Sequence, residues 1–218
     1  MRSGGHPILV PTAIFASGNG SNLQSVIDAA AASTLPLEIR LVVADNPRAY
    51  ALERAAAVNI PALVMPFARV HESRSAYGTR LARAVRAKGV ELVLLLGWMH
   101  VLAPEFVGAG FAGILNLHPS YLPDDPTADR VTFPDGSTAP VFRGAHALRD
   151  AIQARVTQTG ASLIEITPEI DRGPLLARRV MALAPGEDER KALDRLHDVE
   201  REVVRDGILA WIHAHRQG

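Results

Sequence analysis

Through the first half of the chain, short apolar runs rich in β-branched residues alternate with stretches whose apolar positions recur at helical spacing. Residues 12–16 read as a strand bounded by Pro11 and by the Ser17-Gly18 break. Residues 21–30 follow with Leu23, Val26, Ile27 and Ala30 at i, i+3, i+4 and i+7, the stripe of a helix with one buried face. Ser21, with Gln24 three places on, predicts a capping box at its start. The same alternation predicts a strand over 38–44, then a helix capped by Asn46-Pro47 that runs to Val58. A short strand over 62–65 and an amphipathic helix over 73–88 come next. Residues 92–96 are continuously apolar, as expected of a parallel strand covered on both faces. Repeated βαβ units predict the α/β class, with a Rossmann-like, open, mostly parallel twisted sheet and helices on both faces.

The second half is less regular. Residues 114–117 read as another buried strand, and residues 122–143 are rich in Pro and Asp. Pro134-Asp135-Gly136 is a turn signal between residues 131–133 and 137–139, which predicts a protruding loop or a short hairpin. A helix over 145–154, strands over 161–166 and 175–183, and a long helix over 187–213 complete the reading. Leu193, Leu196, Val199 and Val203 share one face of that last helix. The 218 residues are expected to form a single domain.

Composition narrows the classes of function. Apolar residues make up 48% and charged residues 21%, which excludes a disordered chain, a collagen-like repeat or a coiled coil as the main body. The 23 basic and 23 acidic residues cancel, so no global field draws the chain to nucleic acid or to anionic lipid. Without cysteine there is no disulfide framework, thiolate nucleophile or cysteine-ligated zinc. The apolar run 92–99 is far short of the roughly 20 residues of a membrane helix. Arg2 is the lone early cation, and Pro7 and Pro11 break any signal-like apolar core. The expectation is a soluble, cytoplasmic protein with no nucleic-acid or membrane partner.

Ser17-Gly18-Asn19-Gly20-Ser21-Asn22 joins the first strand to the first helix. Glycine lets a backbone approach a ligand closely, and free amides at a helix start attract an anion. A tight turn needing positive φ explains the same residues. A dinucleotide fingerprint requires a third glycine where Leu23 stands, and a nucleotide-triphosphatase loop requires a lysine that does not follow. A mononucleotide phosphate therefore fits the loop better than either.

Asn116 and His118 leave a buried strand at its C-terminal end, two residues apart and so on one face. Ligands of open α/β sheets bind just beyond such ends. An amide donor beside an imidazole can stabilise an oxyanion, the recurrent need of acyl transfer, although a lone histidine can equally be structural.

Ser17–Leu23, Asn116-Leu-His-Pro-Ser120 and Asp171-Arg-Gly-Pro174 resemble, in order, the signature blocks of the phosphoribosylglycinamide formyltransferases, a branch of the folate-dependent formyltransferase superfamily. Gly97–Leu102, Pro104-Glu-Phe106 and Ser73–Tyr77 extend the resemblance, which covers about residues 11–212. Methionyl-tRNA formyltransferase and formyltetrahydrofolate deformylase carry different residues in the glycine loop. The resemblance implies a direct transfer of the formyl group of 10-formyltetrahydrofolate to the amine of glycinamide ribonucleotide, with no metal and no covalent enzyme intermediate. It implies that Asn116 donates to the developing oxyanion and that His118, held protonated by Asp171, acts as proton donor. Gly20, Ser21 and Asn22 match the phosphate-holding positions. His197, Asp198, Val199 and Glu200 match the segment whose carboxylate binds the ribose hydroxyls. Arg74, Met99, His100, Val101 and Leu102, with Asn116 and the loop Thr167, Pro168, Glu169, Ile170 and Asp171, match folate-contacting positions. Residues 11–110 would then form a phosphate-binding half and 111–218 a catalytic and folate-binding half, in a monomer or homodimer whose partners are small molecules.

Residue type alone favours a solvated surface role for Glu200; its spacing from Asp171 favours the ribose role. Met99, Val101 and Leu102 suit core filling and a pterin slot alike. Three departures from the family pattern stand out. Ile164 occupies the place of a histidine, His100 that of an arginine, and residues 124–141 are markedly longer than usual, as a lid, an edge hairpin or a plain surface insertion. Ile164 and the long segment leave room for a different amino-sugar nucleotide as acceptor, or for a catalytically silent folate- or nucleotide-binding protein.

Overall fold

The computed structural model describes residues 8–144, 146–166 and 173–215. The first half follows the predicted alternation: β1 (Val10–Phe15), α1 (Ser21–Ala31), β2 (Leu37–Ala44), α2 (Tyr50–Ala57), β3 (Ala62–Val64), α3 (Arg74–Arg86) and β4 (Leu92–Leu95). A short α4 (Pro104–Val107), unmarked by any apolar period, leads to β5 (Gly113–His118). The remainder comprises β6 (Arg130–Thr132), β7 (Thr138–Pro140), α5 (Ala147–Gln153), β8 (Gln158–Glu165), β9 (Leu175–Ala182) and α6 (Glu189–His215).

Seven strands form one sheet in the order β3-β2-β1-β4-β5-β8-β9, parallel from β3 through β5 and antiparallel across β5–β8 and β8–β9. Strand alternation splits the core between two faces. Ile14, Val42, Leu94 and Leu115 pack beneath α1, α2, α5 and α6, whereas Phe15, Val43, Val93 and Ile114 pack against α3 and α4. This is the expected mostly parallel α/β sheet with helices on both faces. Helix α1 follows β1 on one face, and the chain after β4 turns to the other. A crevice therefore opens beyond the C-terminal ends of β1 and β4, where the strand order reverses.

Several boundaries differ from the sequence reading, each for a local reason. β1 begins at Val10 and includes Pro11, which precedes the first residue paired with β4 (Thr12 with Leu92), so its missing N–H interrupts no bond to that strand. The capping box at Ser21 does not form. Gly20 is the N-cap in the left-handed conformation (φ 73°), with no side-chain cap. Gln24 instead accepts from Arg54 and donates to Asp28. Asn46 does not cap α2 either: its side chain closes a turn onto Arg48 N, and the helix starts at Tyr50 behind Ala49.

The long segment is an edge hairpin rather than a lid. β6 and β7 pair with each other, and Tyr121, Val131, Phe133 and Ala139 form a small apolar cluster of their own beneath them. Arg178 of β9 fastens its base, donating to Leu122 O (2.6 Å) and Asp124 (2.7 Å) over the Tyr121 ring. Among the described residues that line the crevice, none belongs to 124–141.

Candidate active site

The glycine loop enters the crevice under steric constraint. A side chain at Gly20 would sit 3.0 Å from Ala51 Cα and Cβ and would strain the left-handed backbone, so glycine is required there on two counts. Beyond it, α1 presents its first amides, which have no partner within the helix, toward the crevice at Ser21 and Asn22.

Asn22 is buried and donates through Nδ2 to Glu200 Oε2 at 2.7 Å. Its Oδ1, also buried, finds no hydrogen-bond partner among the described residues. Glu200 projects from α6 with only 6% of its surface exposed. Burial pushes its carboxyl above the usual carboxylate range, opposed by the Asn22 hydrogen bond and by the charges of His197 and Arg201. A buried acid, an orphaned amide oxygen and a row of helix-start amides thus share one wall, a set suited to hydroxyls and a phosphate.

Asn116 and His118 occupy the floor at the end of β5, with Asn116 opposite Leu95 and Ile164 and His118 opposite Ser162. His118 is 3% exposed, and its Nε2 lies 2.8 Å from Phe142 O. A carbonyl only accepts, so Nε2 carries the proton in this bond. Ser162 Oγ fixes the turn that follows, donating to Ser120 O (2.8 Å) and accepting from Leu122 N (2.9 Å).

The other wall is apolar. Met99 and Val101 expose 58% and 52% of their surface, Trp98 lies beneath them against Phe15, and Leu102 and Ile166 close the slot. His100 is drawn aside: its Nε2 meets Asp45 Oδ2 at 2.8 Å amid the rings of Phe67, Tyr77 and Trp98. Near that pair, burial and the Asp45 charge hold the Tyr77 hydroxyl neutral, donating to Met65 O. The whole crevice encloses about 420 Å³, within the ~300–1,000 Å³ common for small-ligand sites. Among the described residues no group of three or more His, Cys, Asp or Glu is placed to hold a metal.

Gly20, Ser21, Asn22, Met99, His100, Val101, Leu102, Asn116, His118, His197 and Glu200 all line this crevice. Three other residues do not reach it. Arg74, the first residue of α3, lines a small neighbouring apolar pocket with Phe67, Tyr77 and Phe106. Asp198 turns to solvent and pairs with Arg201 at 2.6 Å, and Val199 packs on the core, because one helical turn cannot aim four consecutive residues at one point. Thr167, Pro168, Glu169, Ile170 and Asp171 lie outside the described residues. The sequence reading missed Trp98 and Ile166, which also line the crevice, as does Asn19 of the glycine loop. Leu193, counted there in the α6 core stripe, is 39% exposed and faces the crevice as well. Neighbourhood to the Met99 segment was the available signal for Trp98.

Comparison with known proteins places the chain in a family. The formyl transferase family model matches residues 11–131 and 135–208. The phosphoribosylglycinamide formyltransferase of Escherichia coli is 30% identical over 198 residues, covering 91% of this chain and 84% of its own. The trifunctional purine biosynthetic protein adenosine-3 of Drosophila pseudoobscura pseudoobscura is 31% identical over 190 residues, 86% of this chain, which spans only 13% of that longer protein. The crystal structure of glycinamide ribonucleotide transformylase 1 from Symbiobacterium toebii superposes with a TM-score of 0.81 at 28% identity, covering 94% of this chain and 89% of its own. The chain therefore belongs to the formyl transferase family and, within it, to the phosphoribosylglycinamide formyltransferases.

Proposed function

We propose that the protein transfers the formyl group of 10-formyltetrahydrofolate to the amine of glycinamide ribonucleotide, a step of purine biosynthesis. The observation that carries this reading is one crevice lined together by the polar pair Asn22 and Glu200, by the apolar Met99–Leu102 segment, and by Asn116 with His118. Glu200 and Asn22 Oδ1 accept from the ribose hydroxyls, and the amides of Gly20–Asn22 hold the phosphate. The apolar slot takes the pterin.

The folate supplies the formyl group when bound. Asn116 donates to the formyl oxygen as negative charge grows there. His118, protonated, adds a second donor and passes a proton toward the departing folate nitrogen. Asp171 is assigned to keep His118 protonated and to take up the proton lost by the amine. Residues 11–110 supply the phosphate loop and 111–218 the catalytic groups, although α6 carries Glu200 back across that division.

The test is direct. Purified protein given 10-formyltetrahydrofolate and glycinamide ribonucleotide should release one tetrahydrofolate for each ribonucleotide formylated. No turnover with this acceptor, but turnover with another amino-sugar nucleotide, would select the second reading, which the apolar Ile164 set beside Asn116 favours.

A further inference from the structure

The glycine loop is held from behind by α2, and the holding group is Arg54. Its Nε donates to Asn19 O at 2.8 Å, one Nη to Asn19 Oδ1 at 2.9 Å and the other to Gln24 Oε1 at 3.2 Å. The guanidinium lies 4.9 Å over the Tyr50 ring, and Gln24 is itself steadied by Asp28 at 2.9 Å. Nearer the start of the same helix, Ala51 N donates to Gly18 O at 3.2 Å.

These bonds fix which way the loop amides point. In a trans peptide the C=O and the following N–H project from opposite edges of one plane. Drawing Asn19 O back to Arg54 therefore turns Gly20 N–H forward, and drawing Gly18 O back to Ala51 does the same for Asn19 N–H. Gly18, Asn19 and Gly20 all line the crevice, so forward means toward the ligand. Glycine at 18 and 20 leaves these peptide planes easy to rotate, so the orientation needs an outside hold. Arg54 suits that task because its planar fork grips a main-chain and a side-chain oxygen of the same residue together.

We infer that Arg54 is a positioning residue for the phosphate monoester of the acceptor, acting through the Asn19–Gly20 peptide and making no contact with the reacting atoms. The inference rests on the phosphate-loop assignment proposed above. It assigns α2 a part in substrate binding that no motif marks.

The experiment compares wild type, Arg54→Ala and Arg54→Lys. Arg54→Ala should raise KM for glycinamide ribonucleotide roughly tenfold or more, the scale of one charged hydrogen bond. KM for the folate should stay unchanged, and kcat should move by less than about threefold, since the interaction is with bound phosphate in ground and transition state alike. Arg54→Lys, which keeps one donor to Asn19 O but loses the fork, should fall between. Calorimetric titration with inorganic phosphate should show the same order of affinities without any reaction. A rise in both KM values together, a loss confined to kcat, or an unchanged acceptor KM would overturn the inference. Where Arg54→Ala does not fold, Arg54→Lys decides on the same two readouts. Wild type that binds neither ribonucleotide nor phosphate would sink the loop assignment itself, whereas wild type that binds and variants that match it would sink only the role of Arg54.

Discussion

Glu200→Gln should make the protein more stable and a worse enzyme, and the two effects should separate with pH. Glu200 is 6% exposed, receives one strong hydrogen bond from Asn22 (2.7 Å), and otherwise has only the charges of His197 and Arg201 to balance burial. Its folded carboxyl is raised above the ordinary value of about 4.3, burial being the largest cause. With a raised pKa, its favourable contribution is full below the unfolded value, falls as pH rises through the folded one, and stays lost above it. The substituted amide would keep an acceptor for Asn22 Nδ2 at nearly equal volume and carry no charge. At pH 7 the variant should gain on the order of 1 kcal/mol, or about 2–4 °C in Tm for a chain of this size. The gain should shrink to nothing as pH falls below about 4. Acceptor KM should rise at least about tenfold, because a charged acceptor for the ribose hydroxyls has become a neutral one. Thermal melts from about pH 3.5 to 8, a range spanning the ordinary carboxylate value, paired with steady-state kinetics at neutral pH, read both. A variant less stable at pH 7, with a gap that does not vary with pH, would show that Glu200 is not held against its solvation.

His118→Ala should lower kcat about 10²–10⁴-fold while calorimetry still finds ribonucleotide binding close to wild type; a rate within tenfold of wild type would remove His118 from the mechanism. Asn116→Ala should lower kcat by about 10²–10³, checked by single-turnover kinetics with both substrates saturating. Ser162→Ala strands Ser120 O and Leu122 N, both bonded to a fully buried hydroxyl, and should cost roughly 2–5 kcal/mol of stability in urea denaturation. Gly113→Ala would bring a methyl to 2.6 Å from the buried Trp211 ring. It should cost about 1–3 kcal/mol, read as a lower urea midpoint by tryptophan fluorescence.

The sheet was legible where apolar spacing and strand length spoke together. Residues 92–96 read as a strand covered on both sides, and β4 (Leu92–Leu95) is that strand, with all four residues buried. The motif blocks were equally plain, because Gly20, Asn116 and His118 each sit at an element end that the alternation already located. What stayed hidden depended on contacts distant in the chain. Nothing in the β8 sequence says that it runs antiparallel to β5; that follows from Leu115 meeting Glu165 and His118 meeting Ser162. Ser21 satisfied every local rule for a cap, yet the close approach of Ala51 made Gly20 the residue at which the helix begins. Leu193 obeyed the helical stripe of α6 and still faces the crevice, since a period assigns a face and not what covers it.

The long hairpin, Ile164 and His100 differ in how near they come to the chemistry. The long segment is the most conspicuous, but it closes on itself. β6 and β7 satisfy each other's backbone, Asp125 and Asp135 cap their own turns, and Tyr121, Val131, Phe133 and Ala139 bury one another. Loop-closure entropy grows slowly with length, so such an insertion is easily accommodated once its ends are fixed. Both ends are fixed here: Arg178 holds Leu122, and Phe142 O accepts from His118, leaving Pro119 and Gly144 in the crevice wall. The single residues reach further in. Ile164 pairs directly with Asn116, and His100 engages Asp45 through Nε2 at the crevice wall. Ile164→His or His100→Arg should therefore shift KM for acceptor or folate in steady-state kinetics, where deletion of the hairpin tip does not.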